Sequence, residues 1–479
     1  MVTRGLLGYV LVLLGGLVVS VLPGSHPLDA IAWRHHTPGR LVGLTVVVLG
    51  LGLACWAWLE LLRLVRATTG PDRLPLVLRA TGCWSLPLLL APPMFSRDGW
   101  SYAAQGVMAH LDHSPYDVGP AVLAGSITEA VDPMWMDTPA PYGPLPLAWG
   151  DLAADLTRDP WALVVAHRLL AVLGLVLLAH AVPRLAAACG RDPALAAALV
   201  LPGPLVLAHG VAGLHNDLLM VGLMAWALAV AVEGRWVLAA TLGGAAAAVK
   251  VPGGLVCLAV VLVSLPATAH LADRVRRAAQ VAGVATATLL LSGVVTGLGL
   301  GWVHALGVPG VVRTPLSLTT QVGRVLLWAQ EGLGVPGPSA LELVRLGGML
   351  VALGFACAVA LRARAGDPEV AVRTVGLALL ALVLLGPVVH HWYLLWALPF
   401  LAAVPLAPRA EGALVAVVGL TGLVAPLDSS LQARGTDIVV AVLLVTGVAL
   451  TQVVGHRRAV ASPSRLPARL PARRSTPVR

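Results

Sequence analysis

The chain has 479 residues, of which 58% are hydrophobic and 11% charged, and its mean hydropathy is +0.86. This composition excludes a soluble globular protein, because apolar runs of about 20 residues, long enough to cross a bilayer as a helix, recur throughout. The runs are continuous and do not alternate, which favours helices over an outer-membrane barrel. The net charge of +9 does not indicate nucleic-acid binding, because seven arginines and no acidic residue lie in residues 457–479.

Residues 457–479 are rich in Pro, Ser and Arg and have no hydrophobic period. This pattern predicts a disordered cytoplasmic tail at the surface of the anionic leaflet. The five cysteines stand singly in apolar segments and are interpreted as small core residues, not as a disulfide framework. Residues 1–456 are therefore predicted to form one all-α polytopic membrane domain.

Hydropathy predicts about 13–14 transmembrane helices. They lie near residues 5–22, 41–64, 74–94, 161–184, 193–211, 215–232, 236–249, 252–266, 279–300, 341–361, 374–389, 392–407, 412–427 and 437–454. The short pair that flanks Lys250 is alternatively a bent or re-entrant element. The first run lacks a small-residue cleavage site, so it is interpreted as a retained anchor and not as a signal peptide.

The distribution of arginine between the loops predicts the orientation in the plasma membrane. Short loops on one side, together with the tail, hold most of the arginines. The loops at 23–40, 95–160, 301–340 and 428–436 hold fewer for their length. Both termini are thus predicted to be cytoplasmic, with the large loop after the third helix on the extracytoplasmic face, where no nucleotide is available.

This loop, residues 95–160, carries nine of the 23 acidic residues. Asp98 directly follows an apolar run, so its carboxylate is expected at the membrane–water boundary. Partial desolvation there makes a carboxylate a stronger base towards a bound hydroxyl. The neighbouring Arg97 could bind a phosphate. The structural alternative for Asp98 is that it caps the helix beginning at Gly99.

Aromatic residues and prolines recur in the rest of the loop. Tyr116 and Asp117 follow a proline, Trp135 comes next, and Tyr142 begins a Tyr-Gly-Pro turn. Such turns hold aromatic side chains rigidly, and aromatic faces beside carboxylates suit sugar binding. The alternative is a proline-stiffened lid that lies on the membrane with interfacial Trp anchors.

Polar residues also interrupt later apolar segments. His215, Asn216 and Asp217 are consecutive at the outer start of the sixth predicted span, where polar side chains are costly unless they line a cavity. Helix capping by Asn216 is the alternative. Lys250 is the only lysine of the chain and precedes a Val-Pro break. It is a candidate phosphate ligand, with a snorkelling lysine as the alternative.

Two further polar segments are predicted on the outer side. Arg313 is followed by a run with Ser and Thr hydroxyls, which together could hold a phosphate. His390 and His391 precede Trp392, but this spacing does not specify zinc, and no HExxH or CxxC motif supports a metal centre. A metal bound by the carboxylates described above remains an alternative.

Several functions lack a recognisable motif. There is no Walker A, no strand-bound GxGxxG and no GxSxG, so ATP, dinucleotide and serine-hydrolase chemistry have no identifiable site. No internal repeat is evident, and the polar residues gather on the outer face. These features favour an enzyme over a transporter or a flippase of a lipid-linked sugar.

The loop contains Asp98-Gly-Trp-Ser-Tyr-Ala-Ala-Gln-Gly, Ser114-Pro-Tyr-Asp-Val-Gly-Pro and Thr138-Pro-Ala-Pro-Tyr-Gly-Pro-Leu. Later come Leu214-His-Asn-Asp, Lys250-Val-Pro, Arg313-Thr-Pro-Leu-Ser and His391-Trp-Tyr-Leu-Leu-Trp. Together these motifs resemble the actinobacterial polyprenol-phosphomannose-dependent α-1,6-mannosyltransferases. Those are C-type membrane glycosyltransferases (GT-C) that extend the mannan of lipomannan and lipoarabinomannan. The resemblance covers most of the chain; it departs from the family pattern at Gly99, Leu318 and His391.

The resemblance implies that Asp98 is the catalytic base. It would take the proton of the acceptor 6-hydroxyl as that oxygen attacks C1 of the donor mannose with inversion. The leaving group is a lipid phosphodiester, so positive charge on the phosphate suffices; Arg97, Lys250, Arg313 and His215 are the candidate phosphate ligands. The candidates for binding the sugar or the acceptor are Tyr102, Tyr116, Asp117, Trp135, Tyr142, Asn216, Asp217, His391 and Trp392.

The expected donor is polyprenyl phosphomannose, and the expected acceptor is a mannolipid or mannan at the membrane. No cofactor is firmly implied, dependence on a divalent cation is left open, and no nucleic-acid partner is expected. Within enzymes, the alternative is a protein O-mannosyltransferase that uses the same donor.

Overall fold

The computed structural model describes residues 1–427, 430–432 and 434–446. Within these ranges the protein consists of helices and turns, with one isolated antiparallel bridge between Ser20 and Leu431. The all-α class is therefore confirmed. The tail predicted at 457–479 and the end of the last predicted span lie outside the described residues.

Six helices in the described part of the chain are long and apolar enough to cross a membrane. They are Val2–Val19, Thr37–Ala67, Pro160–Ala188, Leu271–Val295, Ala340–Arg362 and Pro368–Leu385. The helix Pro193–Val200 and the π-helix Leu205–Ala212 meet at 54° and together form a seventh, bent candidate. The chain is thus a multi-pass membrane protein.

The remaining predicted spans have fewer than 18 helical residues in the described part of the chain. Five of them are Arg73–Leu89, Asp217–Val232, Trp236–Val249, Pro408–Leu423 and Gly435–Thr446. The predicted span 252–266 is a 3-10 turn, Val251–Leu255, followed by the helix Val256–Val263. The predicted span 392–407 is divided into the 3-10 turn His391–Leu395 and the helix Leu398–Ala403. Hydropathy reports apolar runs, whereas prolines and glycines within those runs determine where a helix ends.

Most helices and turns outside the candidate spans lie in the loops that were predicted to be extracytoplasmic. The α-helices are Asp98–His110, Ser126–Glu129, Pro133–Met136, Pro144–Leu156, Trp302–Ala305, Val308–Val311 and Leu318–Gly332. Short 3-10 turns lie at Pro27–Ala30, Ala32–His35, Pro120–Val122 and Ala425–Leu427. The helices Asp98–His110 and Pro144–Leu156 both belong to the long loop and pack against each other, so the loop is an ordered layer over the helical bundle.

Ion pairs join several of the arginine-rich loops. Glu411 accepts hydrogen bonds from Arg66 and Arg191, each at 2.7 Å, and Arg73 pairs with Asp192 at 2.6 Å. These loops were all predicted to lie on one side. The helix that begins at Arg73 then rises by about 25 Å, at 1.5 Å per residue, before the long loop starts. The long loop therefore lies at the opposite end from this cluster of ion pairs.

Close contact between small residues sets the position of the helix Asp217–Val232. Gly222 lies so near the helix Pro160–Ala188 that a Cβ atom there would be 2.6 Å from the carbonyl oxygen of Gly174. Glycine permits this approach of two backbones, as is common between helices in membranes. This contact holds the helix that begins at Asp217 against the helix Pro160–Ala188.

Candidate active site

Asp98 is the first residue of the helix Asp98–His110, and only 6% of its surface is exposed. The N-cap position of that helix is occupied by Arg97 and not by Asp98. The Asp98 oxygen Oδ2 accepts hydrogen bonds from Tyr102 Oη at 3.3 Å and from Tyr142 Oη at 3.4 Å. Two hydroxyl donors thus face this buried carboxyl group. The geometry therefore favours a functional carboxylate over the capping alternative.

The two phenols are themselves coupled. Tyr142 Oη also lies 3.3 Å from Tyr102 Oη, so its one proton is shared between this oxygen and the carboxyl group, and the rings meet edge to face with centroids 5.2 Å apart. Burial, reinforced by the nearby Asp98 carboxylate, raises the pKa of both phenols well above the usual value. Both hydroxyls consequently keep their protons at neutral pH and remain donors towards the carboxylate.

His215 is fully buried beside this carboxylate. Its Nε2 is 3.9 Å from Asp98 Oδ2, its Nδ1 is 2.7 Å from the carbonyl oxygen of His209, and its ring stacks on Trp392 with centroids 3.8 Å apart. A carbonyl oxygen only accepts hydrogen bonds, so Nδ1 carries the proton and Nε2 of the neutral ring is an acceptor. The sequence suggested His215 as a phosphate ligand, but in this tautomer Nε2 has no proton to donate to a phosphate. The ring lies beside Asp98, the candidate base.

A close contact between the loop helix and the turn before Asp217 brings His215 to Asp98. A Cβ atom on Gly99 would lie 2.8 Å from Leu214 Cδ2 and 2.9 Å from Pro93 Cγ. Leu214 itself has a φ of +61°, in the left-handed region that is costly for a branched side chain. Gly99, where this chain departs from the family pattern, thus allows the loop helix to approach Leu214 and Pro93, which a larger residue would prevent.

Lys250 joins the site through a buried ion pair. It adopts an extended conformation between the helix Trp236–Val249 and the following 3-10 turn. Its Nζ donates to Asp217 Oδ1 at 3.1 Å and to Oδ2 at 3.4 Å, and Trp396 Nε1 donates to the same Oδ1 at 2.6 Å. Lys250 is 8% exposed and Asp217 is fully buried. The snorkelling alternative is therefore not supported.

Three aromatic rings surround the Lys250 ammonium. Nζ is 4.4 Å from the ring centroid of Tyr393, 5.4 Å from that of Trp396 and 5.6 Å from that of Tyr142. All three distances lie within the range of cation–π attraction. Tyr142 is shared between the two charged groups, because its hydroxyl contacts the Asp98 carboxylate while its ring faces the ammonium.

The backbone around Gly143 holds Tyr142 in this position. Gly143 N donates to the carbonyl oxygen of Val249 at 2.9 Å, next to Lys250. A Cβ atom on Gly143 would overlap the carbonyl group of Ala248. The Tyr-Gly-Pro turn is thus required for close packing of the loop on the end of the Lys250 helix.

Further polar atoms near the site are buried and have no hydrogen-bond partner among the described residues. They include Asn216 Nδ2, Ser101 Oγ and Gln105 Oε1. Asn216 occupies the N-cap position, but its side chain makes no capping hydrogen bond in the part of the chain described, while its backbone N–H lies 3.5 Å from Tyr102 Oη. Buried polar groups are normally hydrogen-bonded. These atoms are therefore candidates for contacts with sugar hydroxyls.

The other candidates from the loop are divided between two environments. Tyr116 packs in the same apolar cluster as Tyr102 and Tyr142. Trp135 belongs to the main core, and Asp117 is exposed at the surface. The structure therefore brings Tyr116 to the site tyrosines and places Trp135 and Asp117 elsewhere in the loop layer.

The histidines of the segment after Pro368–Leu385 extend the stack of rings. Trp392 stacks on both His215 and His390, with a centroid distance of 4.2 Å to His390. His391 is half-buried and stacks on His209 at 5.8 Å. Trp392 therefore packs between His215 and His390, while His391 packs on the neighbouring His209.

Two arginines predicted to bind phosphate occupy different positions. Arg97 is half-buried at the N-cap position immediately before Asp98. Arg313 is exposed, and the Ser and Thr hydroxyls that follow it donate to the carbonyl oxygens of Gly386 and Pro387. Those hydroxyls hold the backbone before the histidine segment in place, so the structure gives them a packing role.

Some residues that shape the site were not selected from the sequence. Trp396 donates to Asp217, and Arg168 donates to the carbonyl oxygens of Leu88, Ala91 and Val211 at 2.7–2.8 Å. Arg168 thereby ties the end of the third predicted span to the π-helix. The available signal was an arginine inside an apolar run, since a charge at that depth needs partners.

Within the described ranges, no group of three or more His, Cys, Asp or Glu side chains is arranged to hold a metal ion. The chemistry that the described side chains offer is a buried carboxylate with hydroxyl and imidazole neighbours, and a buried ammonium on the other side of Tyr142.

Two family models match the chain. One, described as α-(1→6)-mannopyranosyltransferase, N-terminal domain, covers residues 2–266. The other, described as MptB C-terminal domain, covers residues 319–454.

Known α-(1→6)-mannopyranosyltransferases are similar to the chain over most of its length. An α-(1→6)-mannopyranosyltransferase A of Mycobacterium tuberculosis is 33% identical over 432 residues, which span 87% of this chain and 82% of that protein. A second α-(1→6)-mannopyranosyltransferase of the same species is 32% identical, over 88% of this chain and 81% of its own length. An α-(1→6)-mannopyranosyltransferase B of Corynebacterium glutamicum is 29% identical, over 85% and 72%. No solved structure matches the chain.

Proposed function

Because the chain belongs to the α-(1→6)-mannopyranosyltransferase family and is a membrane-embedded mannosyltransferase, we propose its donor, acceptor and sidedness. It transfers mannose, with inversion at C1, from polyprenyl phosphomannose to a growing α-1,6-mannan of the lipomannan or lipoarabinomannan type. The proposal depends above all on one observation: Tyr142 separates a buried carboxylate, Asp98, from a buried ammonium, Lys250.

Asp98 is the base of the reaction. Glycosyl transfer to a hydroxyl requires a group that removes the hydroxyl proton as the oxygen attacks C1. The carboxyl group is held in position by the hydroxyls of Tyr102 and Tyr142, and unpartnered polar atoms of Ser101 and Asn216 are candidates to bind other hydroxyls of the acceptor. A carboxylate in this setting is a positioned acceptor and needs no reorganisation at the moment of attack.

Lys250 stabilises the leaving phosphate. The bond between C1 and the phosphate oxygen breaks with its electron pair on the phosphate, so a fixed positive charge lowers the barrier without a general acid. Asp217 and the aromatic rings around Nζ hold the ammonium in a fixed position before the donor arrives. Arg97 and Arg313 remain secondary candidates for this role.

A lipid-linked donor fits the surroundings of the site. The two charged groups lie where apolar helices meet the loop layer, and the helices Leu271–Val295 and Ala340–Arg362 expose many apolar side chains. A polyprenyl chain is soluble in that environment. A nucleotide sugar, in contrast, would find no Walker A or GxGxxG motif to bind its diphosphate.

The outer face of the membrane is the proposed location of the reaction, with both termini in the cytoplasm. The ion-paired arginine-rich loops at the end opposite the site support this orientation, because arginine-rich short loops stay in the cytoplasm.

A transfer assay in membranes tests the function. Membranes that contain the protein are incubated with labelled polyprenyl phosphomannose and short α-1,6-mannosides, and the product is digested with a linkage-specific mannosidase. We expect the mannosides to be elongated with α-1,6 linkages. We expect no transfer from GDP-mannose after the endogenous lipid carrier is removed, and no transfer to peptide acceptors. Asp98→Asn should lower the rate by about 10²–10⁴.

Asp112→Asn is the matched control. Asp112 is exposed in the same loop with a φ of +61°, which asparagine also adopts. It should transfer mannose at the wild-type rate. Equal activity of the Asp98 variant, or transfer to the peptide instead of the mannoside, would contradict the proposal.

A further inference from the structure

One atom beside the proposed base has no assigned role. His215 is fully buried, and its Nε2 has no hydrogen-bond partner in the described part of the chain. The carboxylate oxygen Oδ2 of Asp98 lies 3.9 Å from this atom. An unsatisfied polar atom in such a position is costly, so its presence next to a carboxylate needs a functional explanation.

The tautomer of His215 decides what this atom does. Because Nδ1–H donates to the carbonyl oxygen of His209 at 2.7 Å, the lone pair of the neutral ring is on Nε2. Two acceptors, Nε2 and Oδ2, therefore face each other across a gap too long for a direct hydrogen bond. A hydroxyl oxygen in that gap can be within about 2.8 Å of both atoms at once.

The imidazole is fixed in this orientation. Trp392 stacks on it nearly parallel, at an interplanar angle of 17°, and His390 stacks on the same tryptophan. The ring cannot turn without losing this stack and the bond to His209. Burial lowers the pKa of the ring. The Asp98 and Asp217 carboxylates oppose this shift and Lys250 adds to it; the other titratable groups around the ring are His209, His390 and Tyr102.

We propose that His215 Nε2 is a second proton acceptor that works in series with Asp98 in mannosyl transfer. This inference rests on the proposed role of Asp98 as base. The acceptor oxygen forms its bond to C1 while the bond from C1 to the phosphate oxygen breaks, and the electron pair leaves on the phosphate. The hydroxyl proton passes to Asp98. When the product leaves, a water molecule enters the gap between Oδ2 and Nε2 and relays the proton to Nε2, which yields an imidazolium and restores the carboxylate. The imidazolium returns its proton through the same water to solvent before the next turnover.

The hydrogen bonds of the site explain why a second acceptor is useful. The phenols of Tyr102 and Tyr142 already face the oxygen of Asp98 that would receive the proton, so a second acceptor beside it allows the carboxylate to be restored before the next turnover. An imidazole with a free lone pair, held between two carboxylates, is a suitable recipient.

Two isosteric variants separate this role from a structural one. In His215→Asn the amide nitrogen occupies the position of Nδ1 and retains the bond to the His209 carbonyl, but Nε2 is lost. In His215→Gln an amide reaches the position of Nε2 but cannot accept a proton. Transfer rates are measured from pH 5 to 9 in both variants, in Asp98→Asn and in Asp98→Asn/His215→Asn, with the amount of folded protein determined in each.

We expect both His215 variants to lower kcat by about 10–100-fold with little change in acceptor KM. Burial lowers the pKa of His215, so the ring stays an acceptor to lower pH than a free histidine. The wild-type rate should therefore fall only at a pH below the usual histidine range, because a protonated ring accepts nothing; both variants should lack that part of the profile. In the Asp98→Asn background the second substitution should cost less than about threefold, since the two residues act on one proton.

Wild-type turnover in His215→Gln would overturn the inference. A rate reduction in Asp98→Asn/His215→Asn equal to the product of the reductions in the two single variants would also overturn it. If Asp98→Asn is inactive while His215→Asn transfers normally, the inference fails and the proposed function stands. If Asp98→Asn itself transfers normally, the proposed function fails first.

Discussion

The ammonium of Lys250 lies 3.1 Å from Oδ1 of Asp217, and both side chains are buried. Placing two charges in a medium of low dielectric constant costs desolvation energy that a single ion pair does not always recover. The pair is therefore better explained by a function of the Lys250 charge in the reaction than by a contribution to stability. The pair also links the start of the helix Asp217–Val232 to the end of the helix Trp236–Val249, where the loop layer contacts the bundle.

Substitutions of this pair separate stability from chemistry. Lys250→Met leaves the Asp217 carboxylate buried and unpaired, so it should lower the free energy of unfolding by about 3–5 kcal/mol. It should also raise the donor KM and reduce kcat/KM by about 10²–10³, because the charge opposite the phosphate is lost. The double variant Lys250→Met/Asp217→Asn should recover most of the thermal stability but none of the activity. Recovery of donor turnover in the double variant would remove the phosphate role from Lys250.

A second prediction concerns the turn that holds Tyr142. Gly143→Ala should reduce kcat at least about 10-fold, because the added methyl group overlaps the carbonyl of Ala248 and moves the turn away from Lys250. Gly82→Ala is the control, since a Cβ atom at that exposed helical position meets no atom within 4 Å and alanine favours the helix. The measurement is the transfer rate per amount of folded protein. Equal rates in the two variants would show that the close packing at Gly143 is not needed.

Much of the site could be predicted from the sequence because its residues stand out locally. Asp98 and the run His215-Asn216-Asp217 are polar interruptions at the ends of apolar segments, and Lys250 is unique in the chain. Each position is costly in a membrane, so the residue types and their places along the chain already favour a functional explanation.

The pairing of these residues could not be predicted, because it depends on how helices distant in sequence pack. The ion pair between Lys250 and Asp217, and the hydrogen bond from Trp396, join three separate segments. The tautomer of His215 depends on the carbonyl of His209, which the sequence does not place beside it. Hydropathy likewise does not register where turns such as Val251–Leu255 and His391–Leu395 interrupt the apolar runs.

A third prediction concerns the phenols that donate to Asp98. Tyr102→Phe and Tyr142→Phe should each lower kcat by about 10–100-fold, the value of one hydrogen bond to a charged group. Tyr116→Phe is the matched comparison, because the Tyr116 hydroxyl has no partner in the described ranges while its ring packs in the same cluster. Its rate should stay closer to that of the wild type. A larger loss in Tyr116→Phe than in the other two would contradict the assignment.

The same phenols predict the behaviour at alkaline pH. Because burial raises the pKa of Tyr102 and Tyr142, the neutral, donating form persists to higher pH than in a free tyrosine. The transfer rate should therefore not decline between about pH 8 and 10 from ionisation of these groups. A pH–rate profile of the wild type measures this. An alkaline decline that disappears in the Tyr102→Phe/Tyr142→Phe variant would show that the phenols ionise in this range.

The last prediction concerns Arg168, which acts on the site only through the backbone. Its guanidinium donates to three carbonyl oxygens, so Arg168→Met removes three buried hydrogen bonds from a charged donor and should destabilise the protein by at least about 3 kcal/mol. Arg168→Lys should restore little, because one ammonium lacks the planar fork that reaches all three oxygens. Arg184→Met is the control, since Arg184 is on the same helix but exposed and bonds one local carbonyl. The apparent Tm in detergent should fall for both Arg168 variants and stay constant for the control. A normal Tm with lost activity would instead place Arg168 in the chemistry, because only a direct role could then explain the loss.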